Sequence, residues 1–368
     1  MGCGARSELS TPYDPCSGAP VVGEAISSPV PGDINSGPGF SITATADAVY
    51  FDTGVVVAPE GTILARASLA GPTLASSLVA PFPTHDKAIL APLAHDGTYL
   101  YYSSVGVSGP GGIVSTNVLA SVLDGGLPLT IDKPGQNPSI VIDLATNGQP
   151  GVFFLLQAAS APTGPTVIAH WDGSTTKSLA SIPGIATALV VNASQVFALT
   201  PNGLYSVPVA GGSPMLLRSF ATVEDAGVLE EADFKVFLGL TDETLYYSPD
   251  RTSIVRRDIA SGAEVTLADG LTLPPVWAGA CHNGWADGTS LYYVTASGGR
   301  PQVLQRIAAD GGPAEVIWDS TDRPPSGVVT GDACNIYWLT ASTPWGGDAS
   351  DRPNGPAILM YRRKIVPR

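Results

Sequence analysis

The chain holds only four histidines, His85, His95, His170 and His282, in four different sequence contexts. No two of them stand at a metal-binding spacing. A His-Glu-x-x-His helix, a Gly-x-Ser-x-Gly elbow, a phosphate loop, a dinucleotide fingerprint and a paired Cys-x-x-Cys are all missing. Carboxylates are the richer resource: Glu224, Asp225, Glu230, Glu231 and Asp233 crowd one segment, Asp348 and Asp351 another. Such segments offer the hard oxygen ligands that Ca2+ takes, although neither has the alternating spacing of a Ca2+ loop. The same residues also read as a solvated acidic surface. Trp345, close to Asp348 and Asp351, and Trp277 would suit sugar or peptide recognition if exposed; packed inward, they would cap a core. The candidate ligand-binding residues are therefore Trp345, Asp348, Asp351, Trp277, Glu224 and Asp225. No catalytic residue and no metal ligand is assigned.

These residues need a scaffold, and composition narrows it. Of 368 residues, 44% are hydrophobic and only 14% charged, with 42 Gly and 33 Pro. That is ample for a large core, and many short strands joined by Gly- and Pro-rich turns have this composition. The formal net charge is −14 and the pI about 4.5. Nucleic-acid binding needs clustered Lys and Arg, and here the basic residues are dispersed except for Arg362, Arg363 and Lys364. No nucleic-acid partner is expected. No run approaches the roughly 18 apolar residues of a membrane-spanning helix.

One pattern recurs along the chain. A polar turn containing Asp or Asn precedes an aromatic-rich strand: Asp47 before Tyr50-Phe51, Asp96 before Tyr101-Tyr102, Asn147 before Phe153-Phe154, and Asn192 before Val196-Phe197. Asp242 then precedes Tyr246-Tyr247, Asp287 precedes Tyr292-Tyr293, and Asp332 precedes Tyr337-Trp338. These seven turns are 45 to 51 residues apart, the period of propeller blades of four strands each. Each aromatic strand is followed by another strand (Val167 to Trp171, Ile254 to Asp258, Val303 to Ile307) and often by a tight turn such as Ala210-Gly211-Gly212 or Asp310-Gly311-Gly312. Glycine there supplies the positive φ of a short hairpin. A recurrent Asp or Asn reads as structural, because its side chain can hydrogen-bond the backbone two residues on. The aromatic doublets read as packing between blades. His95 and His282 fall near the turns of units two and six, which are not neighbours in a ring of seven, so a shared site is not expected.

The Asp turn, the aromatic strand and the Gly-Gly turn together resemble bacterial propellers of the YWTD, NHL and TolB-like kind, over roughly residues 40–368. Tyr337-Trp338-Leu339-Thr340 is the nearest approach to the tetrapeptide itself. The resemblance implies a fold and little about activity. The start, Met1-Gly2-Cys3-Gly4, is similar to the processed beginning of bacterial lipoproteins, in which Cys3 would carry the lipid and a polar segment would follow as a tether. Of the remaining cysteines, Cys281 and Cys334 lie around the turns of adjacent units six and seven, and Cys16 precedes the segment that leads into the same face. In an oxidising compartment Cys281–Cys334 is the favoured disulfide and Cys16–Cys334 the second choice.

The expected architecture is all-β: a seven-bladed propeller of four-stranded antiparallel blades over residues 20–368, after a flexible tether over residues 1–19. The last unit ends without an outer strand, so Val21 to Ser28 is expected to complete it and remove exposed edges. The expected function is that of an exported, lipid-anchored, monomeric binding or scaffold protein. It would recognise a protein, peptide or glycan through its loop-rich face, at the cell surface or the periplasmic membrane face, with no cofactor other than Ca2+ in view. The alternative is a propeller enzyme of lactonase, lyase or glycan-processing type with a site in the central channel. The mostly Val, Ala, Gly and Leu composition of the inner strands speaks against it.

Overall fold

A computed structural model describes residues 22–25, 35–36, 41–57, 61–69, 75–78, 93–107, 113–123, 128–132, 139–158, 161, 164–220, 235–274, 282–297, 300–341 and 357–364. Among them every regular element is a strand, and the strands form seven antiparallel sheets. We number these as blades in chain order. Blade three is representative: Ser139–Ala145 lines the axis, followed outward by Val152–Ala158, Thr166–Trp171 and Thr176–Ile182. In blade one the inner strand comes in two pieces, Asn35–Ser36 and Ile42–Ala44, which pair with opposite ends of Ala48–Val57. Blade seven takes Pro325–Gly331, Asn335–Ala341 and Ala357–Arg363 from the end of the chain and its outer strand, Val22–Ala25, from the beginning. The closing register pairs Val22 with Arg362 and Ala25 with Leu359. The strand expected from the missing edge is thus present, four residues shorter than Val21 to Ser28 suggests.

The second strand carries an aromatic doublet in every blade but the fourth, which has Val196-Phe197, and side chains alternate across a strand. The two rings therefore enter different interfaces. Tyr50, Tyr101, Phe153, Tyr292 and Tyr337 pack forward against the next blade; Phe51, Tyr102, Phe154, Tyr293 and Trp338 pack back against the preceding one. All ten are buried, each contributing on the order of 2 kcal/mol. The core is consequently a ring of apolar wedges between blades, closed where blade seven meets blade one.

Turns hold the doublets in register. Asp96 accepts hydrogen bonds from the N–H groups of Thr98 and Tyr99, both at 2.8 Å. Asn192, Asp287 and Asp332 do the same in their blades. In blades one and five the expected residues, Asp47 and Asp242, do not perform this task. Thr45 and Thr241 do, through hydroxyls that accept from Ala48 N–H and Thr244 N–H at 3.0 Å. A hydroxyl two residues earlier in blade one, and one residue earlier in blade five, serves the same turn. Asp242 is thereby left out of its own turn.

Candidate functional site

The first-to-second-strand turns of all seven blades gather at one end of the axis, where inner strands are closest. They surround a cavity of about 640 Å³. Its deeper wall is apolar: Ile42, Leu93, Leu144, Val190, Leu240 and Val329. Its rim is polar, with Thr43, Thr146, Asn147, Asn192, Asp242 and Asp287 among the contributors. Small inner-strand residues make room for this packing. A Cβ on Gly284 would come within 2.3 Å of the Leu238 carbonyl oxygen, so only glycine allows blades five and six to approach that closely.

Hydrogen bonds link neighbouring turns around the rim. His95 Nε2 lies 2.8 Å from the Ala44 carbonyl oxygen of blade one, and Thr146 donates to the His95 carbonyl at 2.5 Å. Gly151 N–H donates to Asp96 Oδ2 at 2.9 Å. The Asn147 amide donates to the Asn192 carbonyl, and the Asn192 amide to the Asp242 carbonyl, each at 3.4 Å. Lys364 of blade seven pairs with Asp287 of blade six at 3.2 Å, its ammonium 4.5 Å from the centroid of the Trp285 ring.

One contact crosses the channel instead of following the rim. Asp143 belongs to the inner strand of blade three, at a register shift between Val141 and Leu144. The irregularity re-aims its side chain. The carboxylate is 1% exposed and accepts from Leu144 N–H at 2.8 Å, Leu189 N–H at 2.6 Å and His282 Nε2–H at 2.9 Å. His282 stands just ahead of the blade-six inner strand, its ring stacked on Phe237 of blade five at 6.4 Å and 18°. Blades three to six therefore meet at one buried carboxylate. A carboxylate can only accept, so His282 carries its proton on Nε2 and turns Nδ1 away from Asp143.

Both histidines line the same cavity, against the expectation from their separation around the ring. Positions near the first-to-second-strand turns converge on the axis regardless of whether their blades are neighbours. His95 donates through Nε2 to a carbonyl, and its Nδ1 is buried without a partner. Burial pushes the His95 imidazole below its ordinary pKa, against the opposing effects of the Ala44 hydrogen bond and nearby Asp96. The inner strands are thus less uniformly apolar at the mouth than their Val, Ala and Gly content suggests. Asp143 was not singled out in the sequence, because nothing in Ile142-Asp143-Leu144 announces a bulge.

The acidic and aromatic residues singled out by sequence, Trp345, Asp348, Asp351, Trp277, Glu224 and Asp225, all lie outside the described residues, as do Glu230, Glu231, Asp233, Cys3, Cys16 and Cys281. Cys334, in the blade-seven turn, is disulfide-bonded, and its partner cysteine lies outside the described residues. Among the described residues no three His, Cys, Asp or Glu side chains are grouped to hold a metal ion.

In sequence, no family model and no curated protein matches the chain. In fold it is similar to the β-propeller domain of the Trilobed protease from Pyrococcus furiosus, with a TM-score of 0.56 and 8% identity over 89% of this chain and 98% of that one. It is similar to YCF48 bound to D1 peptide, at 0.53 and 11% over 94% and 98%. Puromycin hydrolase gives 0.58 and 14% over 84% of this chain and 50% of that one. The chain thus spans half the length of puromycin hydrolase, and 40% of the extracellular domain of a B. thetaiotaomicron hybrid two component system that it also resembles. At such identities the likeness is one of architecture: the chain is an all-β, seven-bladed β-propeller.

Proposed function

We propose that this propeller is a non-catalytic binding module, exported and held at a membrane surface through a lipid on Cys3, which recognises a protein, peptide or glycan. The observation that carries the reading is the state of the acid–base groups at the channel mouth. Asp143 and His282 satisfy each other and Asp287 is neutralised by Lys364, which leaves Asp242 as a single unpaired carboxylate there among the described residues, with no second one beside it. Catalysis by channel residues calls for convergent, unpaired groups. A disulfide at Cys334 suits an oxidising compartment. The same architecture carries a bound peptide in YCF48. In blade seven Ala341 and Ala357 pair at the end of the sheet remote from the Asp332 turn, and on this reading that end points away from the membrane and carries recognition.

A glycan array and a pull-down using the intact chain test the binding reading. Saturable capture that is lost on Trp345→Ala supports it; an intact chain that retains nothing from either sinks it. Acylation is tested separately by mass spectrometry of protein from its native host, where an unmodified Cys3 would defeat the anchor. The enzyme alternative draws on one observation, the imidazole of His282 held by a buried carboxylate at a cavity. Lactone or uronate turnover abolished by His282→Gln would favour it.

A further inference from the structure

We propose that the cavity at the turn-ring end of the channel is a binding site for an organic cation, a primary ammonium or guanidinium group. The inference stands apart from the loop-face reading, because it concerns the opposite end of the channel.

Four observations carry it. First, the cavity is enclosed by all seven blades, and its size suits a small molecule or one long side chain. Second, its hydrogen-bonding capacity is lopsided. The Asn147 and Asn192 amides are directed at carbonyls of the next blade, and Thr146 donates to the His95 carbonyl. The Nε2 atoms of His95 and His282 are engaged as well, with the Ala44 carbonyl and with Asp143, so several donors of the wall are already spent inside the protein. Third, Asp242 lines the mouth, is exposed, and its carboxylate has no hydrogen-bond or ion-pair partner among the described residues. Asp96, Asn192, Asp287 and Asp332 are consumed by their own turns; Asp242 is spared because Thr241 makes that turn. Fourth, no Lys or Arg lines the cavity among the described residues, whereas Asp242 and Asp287 do and Asp143 lies behind His282.

The molecule already contains an example of this recognition. Lys364 brings an ammonium to the edge of the same mouth, where Asp287 and the face of Trp285 receive it. A ligand ammonium at Asp242 would repeat that arrangement on the cavity side, with the apolar wall for its methylenes. The chain's net charge of −14 adds a favourable long-range field.

Calorimetric titration of the intact chain compares 1,5-diaminopentane with 1,5-pentanediol, and the peptide acetyl-Gly-Lys-Gly-amide with its Nε-acetylated form. The diamine and the Lys peptide are expected to bind, more weakly at high salt, while the diol and the acetylated peptide do not. The tighter of the two binders distinguishes a free amine from a basic side chain as the source of the cation. Asp242→Asn, at an exposed position, is expected to leave the melting temperature unchanged and weaken binding by about tenfold or more. Equal affinity for diol and diamine, an Asp242→Asn variant that binds as the parent does, or binding of Zn2+ with none of the amines would each overturn the proposal.

Discussion

Asp96 accepts four hydrogen bonds: from Thr98, Tyr99 and Gly151 N–H groups and from the Tyr101 hydroxyl. Burial by itself would raise its carboxyl, but these four donors win and hold it below the ordinary carboxylate range. Asp242 occupies a similar place in the sequence repeat, and its carboxylate accepts none among the described residues. The two aspartates should therefore respond oppositely to the same truncation. Asp96→Ala strands the hydroxyl of the buried Tyr101 and a turn, and is expected to cost about 2–4 kcal/mol in chemical denaturation. Asp242→Ala should leave the denaturation midpoint where it was. Equal losses would mean that Thr241 does not make the blade-five turn. The histidines give a second residue-scale expectation. Burial pushes His95 and His170 below their ordinary value of 6.5. The folded chain thus favours neutral imidazoles, and as pH falls through 6.5 the unfolded chain takes up protons first. Stability should be fully present above that value and decline on acidification, in a window above the one where the carboxylates, with ordinary values of 3.8 to 4.5, begin to matter. Denaturation midpoints between about pH 7 and pH 5.5 report it; the slope should flatten in a His95→Gln, His170→Gln double variant.

At the scale of elements, the closing strand concentrates the most consequence in the fewest residues. Val22–Ala25 covers the outer edge of Ala357–Arg363, which otherwise ends the sheet of blade seven. A chain lacking its first 28 residues would expose that edge, with unpaired N–H and C=O groups available to another molecule. The expected outcome is a lower melting temperature with concentration-dependent association in light scattering. A truncated chain that melts like the parent and stays monomeric would show that blade seven is held by its packing against blades one and six alone. This element was legible beforehand, because a final unit with no outer strand leaves one edge to be filled. The doublets were legible for a similar reason: two adjacent large rings on one strand must face opposite sides, and only a neighbour on each side can bury both. What the local pattern could not distinguish was which residue of a turn does the bonding. Thr45 and Asp47, or Thr241 and Asp242, are equally good turn formers when read in sequence.

At the scale of the whole molecule, the Asp143–His282 contact ties blade three to blade six across a separation of 139 residues. Adjacent blades are already joined by apolar wedges, so this polar brace acts on the channel and not on any one interface. Asp143→Ala would leave the Leu189 N–H and the His282 Nε2–H without their acceptor, at a cost of about 3 kcal/mol or more by chemical denaturation. It should also free the His282 ring, visible as a change in its imidazole proton resonances. An unchanged ring signal would show that the stack on Phe237 fixes the imidazole by itself.

The amino-acid sequence alone determined the number of blades, the aromatic strands and the need for a closing strand. Each follows from interactions within a few residues or from a period repeated seven times. The tertiary structure decided which side chains meet at the axis. His95, Asp143, Asp242 and His282 come from four blades and share no motif. A bulge aims one of them, a threonine spares another, and ring closure brings all four to one mouth. Chemistry assembled this way depends on where strand ends converge in space, which spacing along a chain does not encode.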